Sequence, residues 1–171
     1  MLIAMAGLSA SGKSTLAERL NEALNGTLLN KDEVRAFLFG ERVDYSAEQN
    51  DLCMSVIYDV AVYLLRQDPD TVVIVDGRTY SKIYQIEDLK KAAERAETPL
   101  RIVECVCSEA SARRRLESTQ NDHPAQDRDF EMYLKSKATA EPIPQPKLVI
   151  NTDERTPAEG VQDVLAYLER A

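Results

Sequence analysis

Residues 7–15 read GLSASGKST, a G-x-x-x-x-G-K-S spacing set between the apolar run Leu2–Ala6 and the segment Lys13–Leu24, whose Leu16, Ala17, Leu20 and Leu24 recur at helical spacing. Strand, glycine loop and helix in that order are the context in which this spacing becomes a phosphate grip. The glycines let the backbone curl so that its N–H groups point inward, and the helix that opens there adds the positive end of its dipole. Gly7, Ser9, Ala10, Ser11 and Gly12 would form the cradle. Lys13 would reach the β- and γ-phosphates of a nucleotide, Ser14 would join a Mg2+ shell, and Thr15 would lie near the α-phosphate. An ordinary glycine turn with an accidental Lys-Ser is the competing explanation, and it accounts for neither the placement nor the spacing.

Outward from the loop, apolar runs alternate with amphipathic segments, the order that builds parallel strands joined by crossover helices. Asn25 and Gly26 stop the first helix, Thr27–Asn30 is a second short strand, and Asp32–Phe39 is a brief helix ending at Gly40. Ser46 and Gln49 have the spacing of a capping box at the start of a longer helix that runs to about Arg66. After a turn at Asp68, Pro69 and Asp70 comes Thr71–Val75, an uninterrupted β-branched run expected at the sheet centre. Ser81–Ala96 reads as a helix, Leu100–Cys107 as a strand, Glu109–Glu117 as a helix, Ser118–Asp127 as a polar stretch, and Asp129–Ala140 as a helix. Pro142, Pro144 and Pro146 make an extended connector to the strand Lys147–Asn151, and Thr156 with Pro157 begins the last helix.

A chain of 171 residues fits a single α/β domain with a real core. Its net charge of -8 argues against gripping a long nucleic acid through the backbone, since that affinity comes from Lys and Arg neutralising phosphates. Of the three cysteines, Cys105 and Cys107 sit in a strand-like alternation, so buried thiols are expected rather than a disulfide frame or metal knuckle. His123, the only histidine, has no metal partners in sequence and reads as a surface residue. The start lacks a basic leader and no apolar stretch reaches membrane-spanning length, so a cytoplasmic protein is expected.

Two acids follow strands, where parallel sheets gather their ligand chemistry. Asp76 closes Val72–Val75 and would orient magnesium beside Ser14; alternatively it is the polar start of a turn with Gly77. Asp32 and Arg35, three apart on an opening helical turn, share a face just past the second strand. Asp32 either complements the helix N-terminus or takes the proton of a hydroxyl attacking the γ-phosphate, with the fork of Arg35 holding an anionic or polar acceptor.

These parts together, GLSASGKST, LLNKDEVR, VVIVDGRT and an arginine-bearing stretch from SEASARRRLE through HPAQDRDF, resemble the small P-loop kinases grouped with polynucleotide 5'-kinases, chloramphenicol phosphotransferase, zeta toxins and adenylylsulfate kinase. The resemblance covers nearly the whole chain, including the terminal KLVINTD and its helix. It implies a P-loop NTPase three-layer α/β sandwich over residues 1–171, with a five-stranded parallel sheet in the order 2-3-1-4-5 and a lid over about residues 112–130. It further implies ATP and Mg2+ as cofactors, with ATP expected over GTP. Lys13 and Asp32 become catalytic, Asp32 as general base, Ser14 and Asp76 hold the metal, and Arg35 and Arg78 face the acceptor. Three successive lid arginines cannot all face a nucleotide; Arg114 and Arg128 are the candidates, with Arg113 next, against solvated helix charges. Tyr45, Asn50 and Tyr84 are candidates for the acceptor pocket, although such aromatics also pack cores, and the run Asn151-Thr152-Asp153, with Asn151 and Asp153 as its candidates, is placed toward the base. Asp44-Tyr45-Ser46 is similar to a step in adenylylsulfate kinases, yet Gly77-Arg78-Thr79-Tyr80 replaces their Ser-Pro segment. The favoured function is phosphate transfer from ATP to a hydroxyl of a small polar metabolite, nucleotide-like compound or antibiotic. A polynucleotide 5'-hydroxyl kinase or RNA-repair component, and a P-loop ATPase switch, are the competitors.

Overall fold

A computed structural model of the chain describes residues 1–118 and 129–170. Five strands, β1 (Leu2–Ala6), β2 (Thr27–Asn30), β3 (Val73–Asp76), β4 (Leu100–Val106) and β5 (Leu148–Asn151), form one sheet in the order β2-β3-β1-β4-β5. Every pairing is parallel. The helices are α1 (Lys13–Leu24), α2 (Lys31–Phe39), α3 (Ala47–Gln67), α4 (Ile83–Arg95), α5 (Glu109–Ser118), α6 (Phe130–Ala138) and α7 (Pro157–Glu169).

Side-chain alternation along the strands assigns the two faces. Leu2, Ala4 and Ala6 of β1 and Val73 and Val75 of β3 pack with Met54, Ile57 and Ala61 of α3 and Ile86 and Leu89 of α4. Ile3, Met5 and Ile74 point the other way, onto Leu16, Ala17 and Leu20 of α1 and Val161 and Val164 of α7. The result is the expected three-layer sandwich, with a dry core on each side of the sheet.

The sheet centre is β1 rather than the β-branched strand β3, which lies one place out between β1 and β2. Both strands are fully buried, and burial on both faces marks a strand as interior without ranking it. At α3, Ser46 Oγ accepts from Gln49 N (3.1 Å), but the reciprocal half of the expected capping box is absent. Gln49 Oε1 instead accepts from Asp44 N, and the Asp44 carboxylate takes Ser46 N. Both halves are present at α7 between Thr156 and Glu159. Cys53 and Cys105 are buried free thiols, as expected, whereas Cys107 is only partly buried. His123 and Arg128 lie outside the described residues.

Register sets up the site. Asn30 of β2 sits directly opposite Asp76 of β3, so the carboxyl ends of two strands meet where β1 runs into the glycine loop. Gly77 holds that corner: its φ is 90°, and a Cβ there would lie 2.9 Å from both Lys31 Cβ and Lys31 N. The start of α2 is thereby pressed against the end of β3.

Candidate active site

The loop is built by backbone. Gly7 has φ 131°, and a Cβ on it would come within 2.3 Å of the Cys105 carbonyl oxygen and 2.7 Å of Ser11 Oγ, so no side chain fits. Ala10 and Gly12 also take left-handed φ values, 59° and 87°. Helix α1 starts at Gly12 with no side-chain cap and no acid in its first turn. Its first N–H groups, which most helices satisfy with a capping oxygen, are therefore left for an anion. Lys13 is buried at this end of the helix.

Asp76 is fully buried. Its Oδ2 accepts from Asn30 Nδ2 at 3.1 Å, while Oδ1 is buried with no hydrogen-bond partner. A carboxylate oxygen removed from water without a donor is costly unless a cation or a cation's water faces it. This Asp76 oxygen, together with a hydroxyl such as that of Ser14 in the first turn of α1, offers the hard oxygen donors a magnesium site uses.

A cavity of about 330 Å3 opens beside the loop. It brings together Ser9, Lys13 and Ser14 with each acceptor-side residue expected from the sequence: Asp32, Arg35, Tyr45, Asn50, Arg78 and Tyr84. Asn30 caps α2 by accepting from Asp32 N at 2.8 Å, which fixes where that helix begins. Asp32 Oδ1 then lies 3.0 Å from Arg35 Nη2 and 3.2 Å from Lys31 Nζ. Oδ2 accepts no hydrogen bond from any described residue. Burial by itself raises the Asp32 pKa, but the charges of Lys31, Arg35 and Lys13 outweigh it and hold the carboxyl below its ordinary value. Lys31 goes the same way for a different reason: burial lowers it, aided by the nearby cations Arg35 and Lys13 and opposed by Asp32.

Asn50 is the clamp of this corner. Its Oδ1 accepts from Arg35 Nη1 (2.6 Å) and Lys31 Nζ (3.0 Å), and its Nδ2 donates to the carbonyls of Tyr45 (3.1 Å) and Ser46 (2.8 Å). With both lone pairs and both amide hydrogens used, Asn50 positions the two cations rather than offering groups to a ligand. Tyr45, at φ 56°, turns its ring under the Arg35 guanidinium, 4.5 Å from centroid to Cζ. Next along α3, Asp51 pairs with Arg78, whose guanidinium lies 5.6 Å from the Tyr84 ring centroid. Lys31 and Asp51 went unnoticed in the sequence because each looks like an ordinary surface charge until α2, α3 and β3 are assembled.

The three successive arginines of α5 separate as their spacing requires, though differently from expectation; most of the stretch expected to form a lid lies outside the described residues. Arg114 is exposed and donates to Ser111 Oγ at 3.2 Å. Arg113 lies over the Phe130 ring at 4.4 Å. Arg115 is the one against the phosphate loop, donating from Nη1 to Ala10 O (3.0 Å) and Thr152 Oγ1 (2.9 Å) and from Nη2 to Thr152 O (3.1 Å). The other side of the loop holds a cavity of about 220 Å3 lined by Gly12, Thr15, Arg115, Thr152 and Pro157. Neither Asn151 nor Asp153 lines it. Asn151 Oδ1 accepts from Asp153 N (3.1 Å), and Asp153 accepts from Ser108 N (2.7 Å), which with the Ser108 hydroxyl holds the carboxyl down to about 2. The residue of that run that touches the loop is Thr152, which donates to Ser11 O at 2.9 Å.

Sheet order, loop and flanking helices define an α/β protein of the P-loop kinase fold. The AAA domain model AAA_33 matches residues 2–143, most of the chain, and the protein belongs to that family. Among solved structures it is similar to a candidate kinase of Chloroflexus aurantiacus J-10-fl, with 21% identity over 96% of each chain and a TM-score of 0.76. It is also similar to the APS kinase of Mycobacterium tuberculosis in complex with AMPPNP and APS, with 17% identity over 98% of this chain and 96% of that one, TM-score 0.72. A gluconokinase of Sinorhizobium meliloti 1021 matches at 19% identity over 98% of this chain and 91% of that one, TM-score 0.70. At such identities the likeness is one of fold. No curated protein sequence matches the chain. Among the described residues, no helix is long and apolar enough to cross a membrane.

Proposed function

We propose that the protein is an ATP- and Mg2+-dependent phosphotransferase that moves the γ-phosphate to a hydroxyl of a small polar metabolite, nucleotide-like compound or antibiotic. The observation that carries this reading is the position of Asp32: it lines the same cavity as Lys13 and Ser14, with Oδ2 engaged by no described residue, across from the anion-receptive start of α1. The loop's N–H groups and Lys13 hold the β- and γ-phosphates and neutralise charge as it spreads over the γ-phosphoryl oxygens. Magnesium, held through Ser14 and Asp76, would screen the phosphate charge and align the chain of phosphates. Asp32 Oδ2 accepts a hydrogen bond from the acceptor hydroxyl and aims its oxygen at the γ-phosphorus. The new O–P bond forms as the bond to the β–γ bridging oxygen breaks, and the hydroxyl proton passes to Asp32. A carboxylate held below its ordinary pKa suits this role, because a loose phosphoryl transition state places little positive charge on the attacking oxygen until late. A cavity of about 330 Å3 lies at the small end of ligand pockets, roughly 300–1,000 Å3, and favours a compact acceptor over a polynucleotide strand.

Screening hydroxylated metabolites and antibiotics for acceptor-dependent ADP release tests the reading directly. With an acceptor in hand, Asp32→Asn is expected to lower kcat by about 10²- to 10⁴-fold and to leave AMPPNP affinity within a factor of two or so, since no part of the loop is touched. Transfer at the wild-type rate in that variant would remove Asp32 from the mechanism. ATP hydrolysis that saturates without any acceptor would replace the kinase by an ATPase.

A further inference from the structure

The cavity beside the loop carries a charge surplus at the end away from the phosphates. Among the described residues, Lys13, Lys31, Arg35 and Arg78 line it against two carboxylates, Asp32 and Asp51. Lys13 belongs to the nucleotide, and Asp32 is matched by Lys31 and Arg35. Lys31 and Arg35 also share Asn50 Oδ1, whereas Arg78, paired with Asp51, has few hydrogen bonds for so deep a cation, being 7% exposed. Its Nη2 alone donates, to Asp51 Oδ1 and, at 3.3 Å, to Tyr84 OH. Nε is buried without an acceptor, and Nη1 donates to no described residue. Its countercharge among the described residues, Asp51, has a side chain 43% exposed, so water already solvates much of it. A buried guanidinium held by one nitrogen to a half-solvated carboxylate is costly unless a second anion completes its fork.

Resting on the phosphotransfer reading above, we infer that the acceptor carries an oxyanion, a carboxylate or a phosphate, which docks on Arg78 while its hydroxyl reaches Asp32. The acceptor is then a compact hydroxylated acid or phosphate ester, and Arg78 is the residue that selects it against neutral polyols, sugars and nucleosides. Asp51 is the internal competitor: it keeps Arg78 paired when the pocket is empty and must share or yield the guanidinium when the ligand anion arrives. Tyr84 supports the plane of Arg78 from the side.

The full chain, saturated with AMPPNP and Mg2+ so that the loop is occupied, is titrated with inorganic phosphate by calorimetry. Binding is expected, about tenfold or more weaker in Arg78→Gln and several-fold tighter in Asp51→Asn, which removes the competitor from a half-exposed position and whose fold is checked by circular dichroism. A purely structural Arg78–Asp51 pair predicts the opposite sign for Asp51→Asn, weaker binding or none. Absent phosphate binding, or Asp51→Asn binding no tighter than wild type, overturns the inference even if Arg78→Gln fails to fold. In parallel, ADP release is measured with polyhydroxy acids against their reduced polyols and with sugar monophosphates against the parent sugars. The acids or the esters should win by roughly 10- to 100-fold in kcat/KM, and which arm wins distinguishes carboxylate from phosphate. Neutral partners turned over equally fast defeat the anion requirement and leave the kinase standing. Phosphate bound through Arg78 with no acceptor ever phosphorylated defeats the kinase and leaves the anion site.

Discussion

The two ends of the cleft are made of different material. The phosphate end is backbone: a loop with left-handed residues at Gly7, Ala10 and Gly12 and an uncapped helix start, to which Lys13 is added. The other end, where the proposed acceptor would sit, is side chain: Asp32 and Arg35 from α2, Asn50 and Asp51 from α3, and Arg78 and Tyr84 from beyond β3, locked to one another by hydrogen bonds and ion pairs. Backbone cradles depend on φ and on room for a Cβ, and they bind what any triphosphate presents. A side-chain network depends on which residues stand where, and it can be rewritten without disturbing the fold. One half is therefore suited to a common substrate and the other to a particular one.

If that contrast holds, the largest separable effect comes from the cradle. Gly7→Ala puts a Cβ 2.3 Å from a main-chain oxygen, where neither group can move without shifting β1 against β4. Overpacking of this kind costs about 1–3 kcal/mol, and because the strain falls on the loop, AMPPNP affinity should drop by roughly tenfold to a hundredfold. Calorimetry of AMPPNP binding measures it; unchanged affinity would mean that the loop tolerates a side chain and that its shape is not what grips the phosphates.

A smaller effect is expected at the other end. Asn50→Ala leaves Lys31 and Arg35 without their shared acceptor and frees the carbonyls of Tyr45 and Ser46. The acceptor KM should rise by about tenfold while AMPPNP affinity stays nearly constant. Were AMPPNP affinity to fall as the acceptor KM rises, the two ends would be one coupled network and the contrast would fail.

The same contrast explains what could be read from the chain beforehand. Strand and helix succession and the loop were legible because period-2 and period-3.6 patterns and the glycine spacing are written locally; sheet order came only with the family resemblance, since the β-branched run by itself pointed to the wrong central strand. Asp32, Arg35 and Arg78 were reachable because each follows the carboxyl end of a strand. Lys31 and Asp51 were not, since a charge on a helix carries no mark of its partner across α2, α3 and β3. Among Arg113, Arg114 and Arg115 the choice depended on the rotation of α5, which Leu116 and Ala112 set by packing and which turns Arg115 onto the loop. Asn151 and Asp153 drew notice as polar residues after a strand, yet the alternation of the chain there turns Thr152, between them, to Ser11. The capping box of α3 gave way because the Asp44 carboxylate takes Ser46 N while Gln49 Oε1 takes Asp44 N instead.

The smallest effect belongs to a residue that serves neither end directly. Asp153 joins the segment after β5 to the start of α5: it accepts from Ser108 N at 2.7 Å and lies 3.7 Å from Arg115, which in turn holds Ala10 of the loop. Hydrogen bonds from Ser108, and then the charge of Arg115, lower its pKa from the ordinary 3.8 to about 2. A carboxyl with a depressed folded value favours the folded state in its ionised form. Its contribution is complete above the unfolded value near 3.8 and disappears as the pH falls through about 2. Asp153→Asn should therefore melt slightly below wild type at pH 7, and the gap should close between about pH 4 and pH 2. Since the group is exposed, that gap is modest. Thermal unfolding of both proteins across this range checks it, and a gap of constant size would show that the charge of Asp153 is irrelevant and that only its shape supports α5. A gap that closes on acidification, together with AMPPNP affinity in Asp153→Asn that falls by less than in Gly7→Ala, would mean that this charge steadies the frame around the cradle while the cradle itself remains a matter of backbone.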